Sequence, residues 1–192
     1  MTDHFRDPQF LDRLKALDES AVNEVVCAYT SHLVSAGMGQ GLGEDQSQDV
    51  CHNTWITFFE VLPRFEGRSH IRTFLFGIFY HKVSEYRRQK MKFENYDPID
   101  DILESRFKED GHWLGDVRDP STYLEEGQML KIVENCMEKL PDVQKAVLNM
   151  RLIEEFSTEE ICEVLKITAS NFRQLLFRGR SRVKECVESH LN

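Results

Sequence analysis

Ser157-Thr-Glu-Glu-Ile-Cys-Glu-Val-Leu-Lys-Ile-Thr-Ala-Ser-Asn-Phe-Arg-Gln-Leu-Leu-Phe-Arg-Gly-Arg-Ser-Arg-Val183 is the stretch from which the fold is read. It reads as two helices and a tight turn. Ser157 followed by Glu160 is a capping-box pair, each side chain satisfying a backbone N–H that the first helical turn leaves free. The first helix buries Ile161, Val164 and Leu165, Lys166 and Ile167 make the turn, and Thr168 caps the second helix. On that helix Phe172, Leu175, Leu176, Val183 and Val187 share one stripe at about 100° per residue.

The other side of the second helix carries Ser170, Asn171, Arg173, Gln174, Phe177 and Arg178. These side chains suit a major-groove reader: Arg forks onto guanine, Asn or Gln onto adenine, and Ser serves either a base or a phosphate. Arg180, Arg182 and Lys184, further along, suit backbone phosphates. An ordinary amphipathic hairpin with a basic face has the same pattern, so this stretch alone leaves both readings open.

Outward from this motif the chain keeps helical spacing, with apolar residues three and four apart and no sustained strand-type alternation. The expected fold class is all-α. Pro8 to about Ala36 forms the first helical segment, and Gly37, Gly39, Gly41 and Gly43 make a break after it. A helix from about Asp45 to Val61 follows, its acidic start suiting the positive end of the helix dipole. After Pro63 and Gly67 a long helix starts near His70, with Ser69 as its expected N-cap. Periodicity fades from 93 to about 122, where acidic residues gather with Pro98, Gly111, Gly115 and Pro120. It returns at Tyr123 and runs to Leu140-Pro141. The 192 residues, 41% of them hydrophobic, suffice for one medium core or two small ones, and the linker favours two. The expected units are 1–92 and 123–192, joined by an acidic linker at 93–122.

The net charge of −9 looks unsuited to DNA until it is resolved along the chain. Residues 64–92 carry eight basic and two acidic side chains, and 166–184 carry six basic and none acidic. Two basic islands in an acidic chain suggest two phosphate-contacting surfaces, because counterion release follows local charge. The first island interleaves its cations with Phe65, Phe74, Phe76, Phe79, Tyr80 and Tyr86. On a helical wheel Ile71, Phe74, Leu75, Ile78 and Phe79 face inward, while Phe76 and Tyr80 face away, near Arg72, Thr73, Ser84 and Arg87. Exposed rings among cations suit single-stranded DNA, on which bases stack. The loop with Arg68 and Ser69 could cradle an unstacked base. The alternative is that these rings are core and the cations solvated.

Other classes are disfavoured. The longest apolar run, Phe74 to Tyr80, falls far short of the roughly 20 residues of a membrane span, and the N-terminus lacks a signal-peptide pattern. A soluble, cytoplasmic protein is expected. Cys27, Cys51, Cys136, Cys162 and Cys186 are widely spread and read as small buried residues, with no disulfide or metal site expected. The histidines are equally dispersed, and no cofactor is implied. No glycine-rich phosphate loop or nucleophile constellation points to an enzyme.

Two stretches together resemble the sigma-seventy superfamily, in its small extracytoplasmic-function group. Arg64-Phe-Glu-Gly-Arg-Ser-His-Ile-Arg-Thr-Phe-Leu-Phe-Gly-Ile-Phe79 resembles the loop and promoter-melting helix of domain two, and Leu140-Pro141 with the helix-turn-helix resembles domain four. The resemblance implies that Gln48, Asp49 and Asn53 contact the clamp helices of the largest subunit of core RNA polymerase, with the flap of the second largest subunit as a further contact. It implies that Phe65, Arg68, Ser69, His70, Arg72, Thr73, Phe76, Tyr80 and Arg87 hold the melted minus-ten element. Thr168, Ser170, Asn171, Arg173, Gln174, Phe177, Arg178 and Arg182 would serve the duplex minus-thirty-five element. An anti-sigma protein is the implied regulator, and Gly179 stands where the family commonly has Ala. A helix-turn-helix regulator acting without polymerase, or a helical protein-binding adaptor, are the competing readings.

Overall fold

The computed structural model describes residues 3–93 and 126–191. Within them lie eight α-helices and no strand: α1 (Pro8–Lys15), α2 (Glu19–Gly39), α3 (Glu44–Val61), α4 (Ile71–Phe93), α5 (Glu126–Glu138), α6 (Asp142–Leu152), α7 (Thr158–Leu165) and α8 (Ala169–Leu191). Most of the expected linker, 94–122, lies outside the described residues.

Local chemistry sets the helix ends. Asp7 caps α1 by accepting the Gln9 N–H at 3.0 Å, with Pro8 in the first position, where a missing N–H costs nothing. The expected first segment divides at Leu17, whose φ of 57° breaks the helix, and Asp18 then caps α2 through the Ala21 N–H. The glycine-rich stretch breaks the chain later than expected, because α2 runs on through Gly37 to Gly39. A Cβ on Gly37 would sit 2.8 Å from that of Ser47, so this glycine lets α2 and α3 approach. The turn falls at Gly41, with φ of 80°. The start of α4 also differs: the Arg72 N–H is accepted by His70 Nδ1 at 3.0 Å, so His70 rather than Ser69 caps it.

Ala21, Val25, Tyr29, Leu33 and Ala36 make the buried stripe of α2, Val50, Thr54 and Phe58 that of α3, and Ile71, Leu75, Phe79 and Val83 that of α4. Each repeats at about four residues, as a helix packed along one face requires. In the second half, α6 is buried continuously from Gln144 to Met150, since it has α8 and α7 on one side and α2 beyond. A single hydrophobic cluster runs from Phe5 through α2, α3 and α4 into Val147, Met150, Phe156, Ile161 and Phe172.

Two sequence expectations fail in the C-terminal half. Cys136 of α5 and Cys186 of α8 are joined as a disulfide, their Cα atoms 5.7 Å apart, although 50 residues separate them. Packing of α5 against α8 brought together what spacing alone kept apart. Cys27 is exposed and Cys162 half-buried, so only Cys51 and Cys136 are the buried residues expected of all five. Gly179 is buried and packs closely on α6: a Cβ there would lie 3.1 Å from Leu148 Cδ1, so that side chain would have to shift by a few tenths of an ångström.

Candidate nucleic-acid interface

The helix-turn-helix forms as its sequence requires. Ser157 Oγ accepts the Glu160 N–H at 3.2 Å and Glu160 Oε2 accepts the Ser157 N–H at 2.9 Å, closing the capping box that starts α7. Lys166, at φ 53°, turns the chain in the left-handed region, and Thr168 Oγ1 accepts the Asn171 N–H at 3.2 Å to start α8. Phe172 is buried and Leu175 and Leu176 pack against the core, which directs the other side outward. Ser170, Asn171, Arg173, Gln174, Phe177 and Arg178 are all exposed along that side. Among the described residues no side chain engages Arg173, Gln174 or Arg178. Arg182 differs: its Nη1 donates to Gln144 Oε1 at 3.2 Å, committing it partly to the fold.

The N-terminal island divides in two. Its loop surrounds a pocket of about 290 Å³ lined by Val61, Arg64, Phe65, Glu66, Arg68, Ser69 and Phe74. The rings of Phe65 and Phe74 stack at 4.6 Å to form its apolar wall, and Arg68, 85% exposed, pairs with Glu66 at 2.5 Å on its rim. Gly67, at φ 73°, bends the loop around the pocket. Such a pocket, with one aromatic wall and an exposed cation at the rim, has the features that hold an extruded base.

The helical part of the island is not exposed as expected. Phe76 is 0% and Tyr80 6% accessible, because the second face of α4 packs against the C-terminal half. Phe76 meets Phe156 edge-on at 5.0 Å. The Tyr80 hydroxyl accepts from Asn149 Nδ2 at 3.5 Å, and burial pushes its pKa up. Thr73, also buried, donates to Glu160 Oε1 at 3.2 Å. Arg72 donates to the Glu154 carbonyl, lies 3.4 Å from the Glu154 carboxylate and sits 4.0 Å over the Phe156 ring. Arg87 pairs with Asp142 at 2.8 Å and donates to the carbonyl of Gln40, toward which the ammonium of buried Lys145 also points at 3.5 Å. Burial, with the Arg87 charge nearby, lowers the Lys145 pKa. The alternative left open by the sequence, that the rings are core, holds for Phe76 and Tyr80. The partners Asn149, Glu154 and Phe156 escaped the sequence reading, and Glu154 in particular carries no local signal that a carboxylate 3% exposed would be placed there.

On α3, Gln48, Asp49 and Asn53 are exposed together with Ile56, which is 46% accessible. Ile56 belongs to the apolar pattern yet faces solvent between Trp55 and Thr57, which the periodicity did not distinguish.

The described residues define a helical helix-turn-helix protein, with one helix whose outer face is polar and basic and a second helix rich in aromatic and basic side chains. Residues 130–183 match the family model described as Sigma-70, region 4. A "Probable RNA polymerase sigma factor" of Haemophilus influenzae is 30% identical over 154 residues, covering 77% of this chain and 79% of that one. The "ECF RNA polymerase sigma-E factor" of Escherichia coli K12 is 23% identical over 188 residues, 98% of this chain and 97% of that one. Among solved structures, the sigma factor RpoE of Bartonella quintana, in complex with the anti-sigma factor NepR, has a TM-score of 0.66 at 15% identity, covering 87% of this chain and 96% of that one. CnrH in complex with the cytosolic domain of CnrY has a TM-score of 0.68 at 17% identity, covering 96% and 98%. This chain belongs to the sigma-70 family of RNA polymerase sigma factors, in its ECF group.

Proposed function

We propose that this chain directs core RNA polymerase to a set of promoters by reading the minus-thirty-five element with α8 and holding the melted minus-ten element with the loop 65–70 and α4. The observation that carries this reading is the outer face of α8. Asn171, Arg173, Gln174 and Arg178 stand exposed on one rigid helix, arranged for base edges in the major groove. It is no enzyme: the chain supplies positions and charges, and the chemistry is the polymerase's.

The minus-ten assignment has two parts. Phe65, Arg68, Ser69 and His70 surround or border the loop pocket, which is open and suited to one extruded base. Arg72, Thr73, Phe76, Tyr80 and Arg87 lie under α6, the α6–α7 connection and α7, so they serve single-stranded DNA only after the halves separate. The units 1–92 and 123–192 are then two bodies joined by the linker at 93–122, closed on each other in the free chain and parted on polymerase. Gln48, Asp49 and Asn53, with Ile56 beside them, form the face offered to the polymerase clamp, and the C-terminal half is offered to the flap. One neighbour in fold is a complex with an anti-sigma factor, NepR, and another is a complex with the cytosolic domain of CnrY, which supports an anti-sigma partner here, released by a stress or envelope signal. A chain that works with polymerase on promoters would act in the cytoplasm.

Run-off transcription with purified core polymerase and a promoter library tests this reading directly. Redirection of core to a distinct promoter set is the expected result. Binding of duplex DNA by the chain with no effect on core would instead make it a simple helix-turn-helix regulator.

A further inference from the structure

The disulfide of the C-terminal half has a third chemical group beside it. His190 follows Cys186 by four residues, which places the two on one face of α8, and Cys136 meets that face from α5. The two sulfurs and an imidazole nitrogen all lie within 4.8 Å of one another. His190 Nδ1 is hydrogen-bonded to the carbonyl of Cys186 at 2.7 Å, so the ring is kept beside the sulfurs instead of extending into solvent. Cys136 is 1% accessible, while Cys186 is half-buried and His190 exposed. The cluster therefore has a closed floor and an open side through which an ion and water can reach it.

We propose that Cys136, Cys186 and His190 form a binding site for a thiophilic divalent cation, of the Zn²⁺ type, occupied when the two cysteines are reduced. Two thiolates and one imidazole are a ligand set such ions prefer, and the four-residue spacing of Cys186 and His190 on a helix is compatible with shared coordination. Water entering from the open side fills the fourth position. Disulfide and metal are mutually exclusive, because a disulfide has no thiolate to offer. Exchange with a small dithiol reductant opens the S–S bond, the dithiol becoming a disulfide as its two hydrogens pass to Cys136 and Cys186; binding the cation then releases both thiol protons to solvent. In reverse, a peroxide takes two electrons from the two thiolates. The S–S bond forms as the O–O bond breaks, two protons from solvent complete two waters, and the cation leaves. In either closed state α5 is tied to the distal part of α8, the helix whose proximal part presents Arg173 and Gln174. Only the reduced, metal-free chain lacks this tie.

Anaerobic titration of the reduced full-length chain with Co²⁺, a coloured stand-in for Zn²⁺, tests the site. One equivalent should bind with a thiolate-to-metal charge-transfer band and tetrahedral d–d absorption, and Zn²⁺ should displace it. The oxidised chain should bind none. Cys136→Ser should abolish the charge-transfer spectrum, and His190→Ala, a surface change that leaves folding intact by circular dichroism, should weaken binding and alter the d–d bands. Cys27→Ser and Cys162→Ser should behave as the parent. Peroxide added to the Zn²⁺ form should release one ion for every two thiols lost. The proposal fails if the reduced parent shows no thiolate band, if His190→Ala binds as the parent does, or if Cys27→Ser or Cys162→Ser removes the site.

Discussion

The guanidinium of Arg72, on α4, lies 4.0 Å from the centre of the Phe156 ring and within 3.4 Å of the Glu154 carboxylate, both from the connection between α6 and α7. A cation expected to meet single-stranded DNA is thus held by a ring and an acid from the other half of the chain. His32 of α2 adds a contact to the same carboxylate at 3.0 Å. Under the proposed function, Glu154 stands in for a phosphate beside Arg72, and the closed form withholds this face of α4 until the halves part.

Glu154→Ala should therefore shift the free chain toward the open form. A hydrogen bond to a charged group contributes about 1.5–3 kcal/mol, and the surviving carbonyl contact to Arg72 puts the loss at the lower end. Affinity of the free chain for a minus-ten single-stranded oligonucleotide should rise by about tenfold, since apparent affinity scales with the binding-competent fraction. Fluorescence anisotropy reads this directly. An unchanged affinity would mean that Glu154 does not limit access to α4.

Arg173→Ala and Gln174→Ala should act on sequence discrimination. Each lost bidentate base contact costs about 1–3 kcal/mol against the mismatched base. Competition between matched and substituted minus-thirty-five duplexes, measured with the assembled holoenzyme, gives the value. Both side chains are exposed, so thermal stability should stay at the parent's level.

Acid should loosen the contact between α4 and α7. Burial acts to raise the Glu160 pKa, but the Ser157 N–H and hydroxyl, the Thr73 hydroxyl and the Arg72 charge outweigh it, leaving the group below its ordinary 4.5. A carboxyl depressed in the folded state contributes stability that is fully present above its unfolded pKa and is lost as pH falls through the folded value. Urea midpoints should drop as pH is taken below about 4.5. In Glu160→Gln, which keeps a capping-box side chain, that part of the pH dependence should flatten.

Reduction of the disulfide in metal-free buffer should lower the thermal stability of the C-terminal half. For a closed loop set by the 50-residue separation, the chain-entropy account gives about 4 kcal/mol. Calorimetry with and without reductant checks this, and Cys136→Ser should be insensitive to the reductant. A reductant effect persisting in Cys136→Ser would place the relevant thiols elsewhere.

What the sequence determined by itself is local. The capping box of Ser157 and Glu160, the αL turn at Lys166, the Thr168 cap and the outward set from Ser170 to Arg178 all rest on interactions within four residues along the chain, and spacing encodes those. The segregation of charge into two basic islands is likewise a property of order along the chain. Tertiary structure decided whatever depends on a partner remote in sequence. Helical periodicity assigns Phe76 and Tyr80 to a second face of α4, but only the arrival of Phe156 and Asn149 makes that face interior. Cys136 and Cys186 lack the close spacing that marks a pair, and they meet because α5 and α8 pack together. Gly179 is an interior glycine of α8, and only the tertiary structure shows Leu148 of α6 packed within 3.1 Å of where its Cβ would stand. Periodicity fixes which side chains share a face, and packing alone fixes what that face touches.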